Sequence, residues 1–266
     1  MKTFNLINPA STPVPVLLSI PHCGTAFPDE LKDQFKKELI QYPDDTDWFV
    51  DRLYDFASAM GITTLSAVYG RWVIDLNRHP QSKPLYSDGR IITGLCPTTD
   101  FLGTPLYQDS RKEISGKEVK ERLEKYYQPY HYALQKTLSA LKEKFGKVLL
   151  WDCHSIRQTV FTIQQEKFPD LILGNADGTS ASPGVIETAV KNLESSGYSF
   201  GHNFPFKGGY ITRQYGSPAE NIHALQLEMT KVNYMNDKET QYDDIRAGKM
   251  RDVLKKVLEK IIENLF

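Results

Sequence analysis

The apolar residues fall into short runs separated by turn formers, and their periods predict alternating strands and helices. Residues 14–20 are apolar and stop at Pro21, which predicts a buried strand followed by the loop PHCGTAF. Phe49, Leu53, Phe56 and Met60 recur at helical spacing, with Gly61 as the stop. Residues 62–68 and 71–76 read as two strands around Tyr69-Gly70. A helical pattern over residues 117–145 carries Val119, Leu123, Tyr126, Tyr130, Leu134, Leu138 and Leu141. Pro129 should kink or divide it, and Gly146 ends it. Residues 148–151 predict a buried strand running into Asp152, Cys153 and His154. Further along, 171–173 and 223–228 read as strands, 183–196 as a helix closed by Gly197, and 243–266 as an amphipathic helix. Strands alternating with helices predict an α/β layered fold with a mostly parallel or mixed sheet. No linker or repeat interrupts the pattern, so one continuous domain over residues 1–266 is expected. Between Pro80 and Gly116 lies a long irregular stretch rich in Gly, Pro and Asp. A loop of that length inside a compact domain is usually functional or mobile, and a cover over a site is expected of it.

Composition narrows the classes. A formal net charge of −1 gives no broad electrostatic reason to bind nucleic acid or an anionic membrane. The three cysteines, Cys23, Cys96 and Cys153, form no CxxC pair and no regular framework. No window reaches the ~20 apolar residues a membrane span needs, and the N-terminal segment lacks the apolar run of a signal peptide. A reducing cytoplasm is the expected setting.

In open sheets, ligands gather beyond the carboxyl ends of the strands. His22 follows the first apolar strand, Asn77 and Arg78 follow residues 71–76, and His154 follows 148–151. Two neutral imidazoles and a carboxylate, with a fourth position open, make a common catalytic zinc shell. His22, His154 and one aspartate of Asp44, Asp45 and Asp47 can supply it, with Asp47 preferred. An aspartate beside a helix start is also a common capping residue, and a strand-end histidine can serve packing alone. Asp152 and His154 share a strand face while Cys153 points the other way, so no thiol–imidazole couple is expected. Asp152 instead suits orientation of a ligand histidine. Glu228 shares a face with Gln226 and fits the general base of a zinc hydrolase, or a plain surface glutamate. Arg71, Arg78 and Arg213 lie beside turns or strand ends and suit bidentate binding of carboxylates. Gly208 and Gly209 before Tyr210 allow close backbone approach to a ligand.

Taken together, the motifs SIPHCG, DDTDWFVDRLYDFA, GRWVIDLNRHP, TGLCPTTDFLGTPLY, YYQPYH, LLWDCHSIR, FKGGYITRQYG and HALQLEM occur in one order through most of the chain. In that order and spacing the sequence resembles the N-formylglutamate amidohydrolases (deformylases). The resemblance implies a three-layer α/β/α, phosphorylase/hydrolase-like fold related to zinc carboxypeptidases. It also implies hydrolysis of N-formyl-L-glutamate to formate and L-glutamate in histidine breakdown. It makes His22, Asp47 and His154 ligands of Zn²⁺, other divalent ions being compatible, and Glu228 the general base. Asn77 and Arg78 resemble the pair that holds a substrate α-carboxylate in carboxypeptidase-like sites. Arg71 is assigned to the developing oxyanion, and Arg213 and Tyr210 join the substrate-binding candidates. Cys23 departs from the small residue expected there, and is read as packing beside the site.

Two other readings remain open at this stage. One is a related amidase of aspartoacylase type acting on another N-acyl amino acid. The other is a non-enzymatic, arginine-lined module for dicarboxylates. The expected partner is a small N-acyl amino acid, with no nucleic acid and no membrane, and the oligomeric state is open.

Overall fold

The computed structural model describes residues 2–82, 93–111 and 113–265. Among the described residues seven strands form one mixed sheet: β1 (Phe4–Ile7), β2 (Val16–Ile20), β3 (Thr63–Ala67), β4 (Val148–Ile156), β5 (Leu171–Gly174), β6 (Phe200–His202) and β7 (Ile222–Thr230). Their spatial order is β1-β3-β2-β4-β7-β5-β6. The central strands β3, β2, β4 and β7 run parallel, while β1 and β5 pair antiparallel with β3 and β7.

The short helical turns α1 (Asp29–Lys32), α2 (Lys37–Ile40) and α3 (Val50–Leu53) lie between β2 and β3. A 3₁₀ segment, Asp55–Met60, follows α3, and Gly61 ends it at φ 81°. The single helix expected there is therefore broken at Tyr54, although its apolar face is buried as the spacing requires. Next come α4 (Gly116–Arg122) and α5 (Gln128–Phe145), joined by a π-helical turn, Leu123–Tyr127. Pro129 has no N–H to give the ladder, and the turn just before it adopts the wider i to i+5 pattern. Gln128 N–H bonds Leu123 O there. The chain continues through α6 (Pro183–Glu194) and α7 (Tyr210–Tyr215) to α8 (Asp244–Leu265).

Strand alternation sends side chains to two cores, one on each face of the sheet. Leu18, Leu149, Trp151, Cys153, Leu225 and Leu227 pack with α3, α6 and α8 on one face. Leu17, Leu65, Leu150 and Ala224 pack with α5 and residues of the 71–76 segment on the other. The result is three layers, helices over both faces of a mixed sheet. No helix among the described residues is long and apolar enough to cross a membrane.

Two expectations are corrected by the structure. Residues 71–76 are not a strand. Their backbone turns, with Val73 N–H on Gly70 O and Asp75 N–H on Leu95 O. An apolar run of six does not distinguish a strand from buried irregular chain, and here the backbone donors find partners outside any ladder. The strand expected to stop at Trp151 runs on to Ile156, so Asp152 and His154 sit within β4. Of the stretch after Pro80, residues 83–92 and 112 lie outside the described residues, so the expected cover lies partly outside them.

Candidate metal centre and active site

Parallel pairing places the chemistry. β4 and β7 run side by side with His154 opposite Glu228 and Asp152 opposite Gln226. In matched register these four side chains share the face that carries α5. Cys153 goes to the opposite core, as alternation requires. β2 on the other flank delivers His22 just beyond its carboxyl end, and His22 O accepts the backbone N–H of Asp47 at 2.9 Å. The chain then bends at Phe49, which has φ 63°, before α3 begins.

His22, Asp47 and His154 converge, each buried, with one donor atom apiece inside 4.8 Å of the others. His154 Nδ1 is 3.0 Å and His22 Nδ1 3.8 Å from Asp47 Oδ2. The Nε2 atoms face carboxylates instead: His22 on Asp75 at 2.8 Å, His154 on Asp152 at 2.9 Å. A carboxylate on Nε2 fixes the proton there and leaves the Nδ1 lone pair for a metal. His22 Nδ1 is buried without a hydrogen-bond partner. An imidazole nitrogen stranded beside a carboxylate and a second imidazole is the donor set that zinc takes, so the residues present fit a divalent ion. No other such group of His, Cys, Asp and Glu gathers among the described residues.

Of the three aspartates left open by the sequence, Asp47 is the one in this group. Its side chain does not cap α3. Asp44 forms a forked ion pair with Arg157. Asp45 accepts from Trp72 Nε1 at 2.9 Å and from Phe101 N–H at 3.1 Å. The Cys23 thiol is turned to the carbonyls of Ile20 and Ala67, away from the cluster.

The charges are strongly shifted. Burial and the nearby Arg71 guanidinium lower the His22 pKa, keeping that ring neutral. Burial opposes charge on His154 too, but the Asp152 and Asp47 carboxylates outweigh it and hold its pKa well above the usual range. Burial works against ionised Asp47, yet the His154 bond and charge bring its pKa below the ordinary value. Glu228 is raised to about 8, first by burial and then by Asp47 and Asp152, with His154 and Arg71 offsetting part of this. A carboxyl pushed that far, one strand across from His154, has the affinity for a proton that a general base needs.

Arg71 is buried against the cluster. Its Nη2 donates to Asp75 Oδ2 at 2.5 Å and its guanidinium lies 4.7 Å over the Phe101 ring, while Nε has no partner. Asp75 thus serves His22 and Arg71 with separate oxygens. It was not among the sequence candidates, because it reads as one more position of an apolar run. The signal that could find it is the aspartate two residues before Asn77, whose backbone N–H it accepts at 2.9 Å. Asn77 Nδ2 lies 3.1 Å from Asp152 Oδ2 and 2.9 Å from His154 Nε2, and its Oδ1 accepts Ile211 N–H at 2.7 Å.

Arg78 is 3.7 Å from Asp75 and donates to Thr93 O at 3.1 Å. Gly208, at φ 101°, and Gly209 bring α7 against Asn77. A Cβ on Gly209 would come within 2.4 Å of the Asn77 amide. The glycine pair therefore serves close approach of α7 to the site, where Tyr210 and Arg213 lie. Arg213 Nε donates to Gly208 O at 2.9 Å.

Comparison with known proteins identifies the family. The N-formylglutamate amidohydrolase family model matches residues 14–235. A protein of Pseudomonas putida called N-formylglutamate deformylase is 42% identical over 252 residues, covering 94% of this chain and 92% of its own. A protein of the same name from Pseudomonas aeruginosa is 40% identical over 253 residues, covering 94% and 93%. Among solved structures, N-formylglutamate amidohydrolase from Ralstonia eutropha superposes with a TM-score of 0.83 at 28% identity, covering 100% of this chain and 98% of that one.

Proposed function

The chain belongs to the N-formylglutamate amidohydrolase family, and from that premise we propose that it hydrolyses N-formyl-L-glutamate to formate and L-glutamate with zinc held by His22, Asp47 and His154. Membership makes it an amidohydrolase acting on a linear amide, which replaces the non-catalytic alternative. The observation that carries the metal reading is the buried, unpartnered His22 Nδ1 facing Asp47 and His154 while both Nε2 atoms rest on carboxylates.

When bound, the ion supplies Lewis acidity, which lowers the pKa of water toward ~7 and polarises a carbonyl. Glu228 takes the proton of the attacking water and returns it to the departing amine. Its burial keeps that proton affinity high and its position opposite His154 keeps it beside the cluster. Arg71 faces the same space with a guanidinium already oriented by Asp75, so it stabilises the developing oxyanion without rearrangement. Arg78 holds the substrate α-carboxylate, assisted by Asn77, and Arg213 with Tyr210 approaches the rest of the substrate from α7. Hydrolysis of this substrate supplies glutamate and formate, and we place it in histidine breakdown. The test is formate release by the purified protein before and after zinc removal.

A further inference from the structure

The run YYQPYH, residues 126–131, has no part in the steps above, yet it crosses behind them. It occupies the last residues of the π turn and the start of α5. Its side chains reach residues 76–78, a part of the site that lies outside any helix or strand. Tyr127 OH donates to Arg78 O at 2.9 Å, and His131 Nε2 lies 2.9 Å from Leu76 O. Those carbonyls flank Asn77, whose own carbonyl accepts Tyr210 N–H at 3.4 Å. The two rings stack on each other, centroids 4.0 Å apart and 22° from parallel. His131 Nδ1 meets Tyr215 OH at 2.9 Å, which ties the stack to α7 as well.

We infer that Tyr127 and His131 are positioning residues that clamp the carbonyls on either side of Asn77 and so fix the Asn77–Arg78 pair for the substrate carboxylate. The inference rests on the deformylase reading for the identity of that carboxylate. A segment without a hydrogen-bonding ladder has to satisfy its carbonyls elsewhere, and here a helix does it with side chains. The π turn suits that task, because the extra residue it accommodates shifts the facing of Tyr127 relative to a regular helix. The donor roles are consistent with the surroundings. Burial lowers the His131 pKa to about 4, so at neutral pH the ring is neutral. Nε2–H then donates to Leu76 O and Nδ1 accepts from the Tyr215 hydroxyl. Neither clamp residue acts on the metal ligands directly. The clamp should therefore govern substrate binding rather than the chemical step.

The experiment is steady-state formate release by the zinc-loaded enzyme in wild type, Tyr127→Phe, His131→Leu and His131→Gln. Loss of one such hydrogen bond should raise KM about two- to tenfold. Tyr127→Phe and His131→Leu are expected to show that rise with kcat and zinc content near wild type. His131→Gln, which keeps a donor near the Nε2 position, should recover most of the affinity. An unchanged KM in Tyr127→Phe, or a fall in kcat with KM unchanged, overturns the inference while leaving the deformylase reading intact. If His131→Leu does not fold, Tyr127→Phe decides alone. A wild type that releases no formate overturns the deformylase reading and this inference with it.

Discussion

Asp75 Oδ1 takes the Nε2 of His22 at 2.8 Å while its other oxygen takes Arg71 at 2.5 Å, so one buried carboxylate orients the imidazole and the guanidinium together. Burial opposes its charge, but Arg71, Arg78 and His22 hold its pKa well below the usual carboxylate value. Asp75→Asn should therefore fail in two ways. Zinc affinity should fall about 10- to 100-fold, as for other lost partners of ligand histidines. Arg71 would lose its direct carboxylate partner, with only the charges of Asp45 and Asp47 nearby, and breaking a buried pair costs roughly 3–5 kcal/mol. Competition with a chromophoric chelator and thermal melting measure the two effects.

The same pair sets an acid limit. A carboxylate whose folded pKa is depressed contributes stability above its unfolded pKa, near ~3.9, and loses it as pH falls toward the folded value. Wild-type stability should drop steeply below about pH 4. In Asp75→Asn the drop should be shallower, starting from a lower plateau. Denaturant midpoints across that range check this, and parallel curves would count against it.

Asp47 and Asp45 are two residues apart but lie in different surroundings. Asp47→Asn removes a proposed ligand and should weaken zinc binding by more than the 10- to 100-fold of an outer partner. Asp45→Asn should keep zinc binding near wild type. Its effect falls on the fold, because Trp72 Nε1 and Phe101 N–H depend on Asp45, and imperfect replacement of such bonds costs about 1–3 kcal/mol. Metal content after gel filtration separates the two.

Glu228 carries opposite consequences for rate and stability. Glu228→Gln should retain zinc and lose about 10²- to 10⁴-fold in kcat. In the metal-free protein, burial pushes the Glu228 carboxyl up from 4.5 to about 8. The folded state then holds a proton that the unfolded state has released, so stability falls as pH rises from about 4.5 to about 8. Melting of the metal-free variant at pH 8 should show a higher midpoint than wild type, with the difference vanishing near pH 4.

The sequence made three corners of this site legible because a chemistry-bearing side chain breaks or follows an apolar run, His22 just past β2, and His154 and Glu228 two residues before the ends of β4 and β7. Asp47 separates from Asp44 and Asp45 only through tertiary partners, since Asp44 pairs with Arg157, Asp45 takes Trp72 and Phe101, and Asp47 meets the two histidines. Asp75 was hidden because apolar spacing around it mimics a strand, while the real chain turns and uses Asp75 to bind the Asn77 N–H. The edge strands β1 and β6 are short and half-exposed, so they lack the apolar run that marks β2 and β4. Helix α7 was concealed by Ile, Thr and Tyr after a glycine pair, residues that favour strands locally but here follow a turn packed on Asn77.

The central claim is that His22, Asp47 and His154 hold a zinc ion that deformylation of N-formylglutamate requires. The most direct measurement is formate release from N-formylglutamate by one preparation as purified, after exhaustive chelation with zinc content verified, and after zinc is restored. The account predicts activity that disappears with the metal and returns at about one zinc per chain. Full activity in verified zinc-free protein would contradict it.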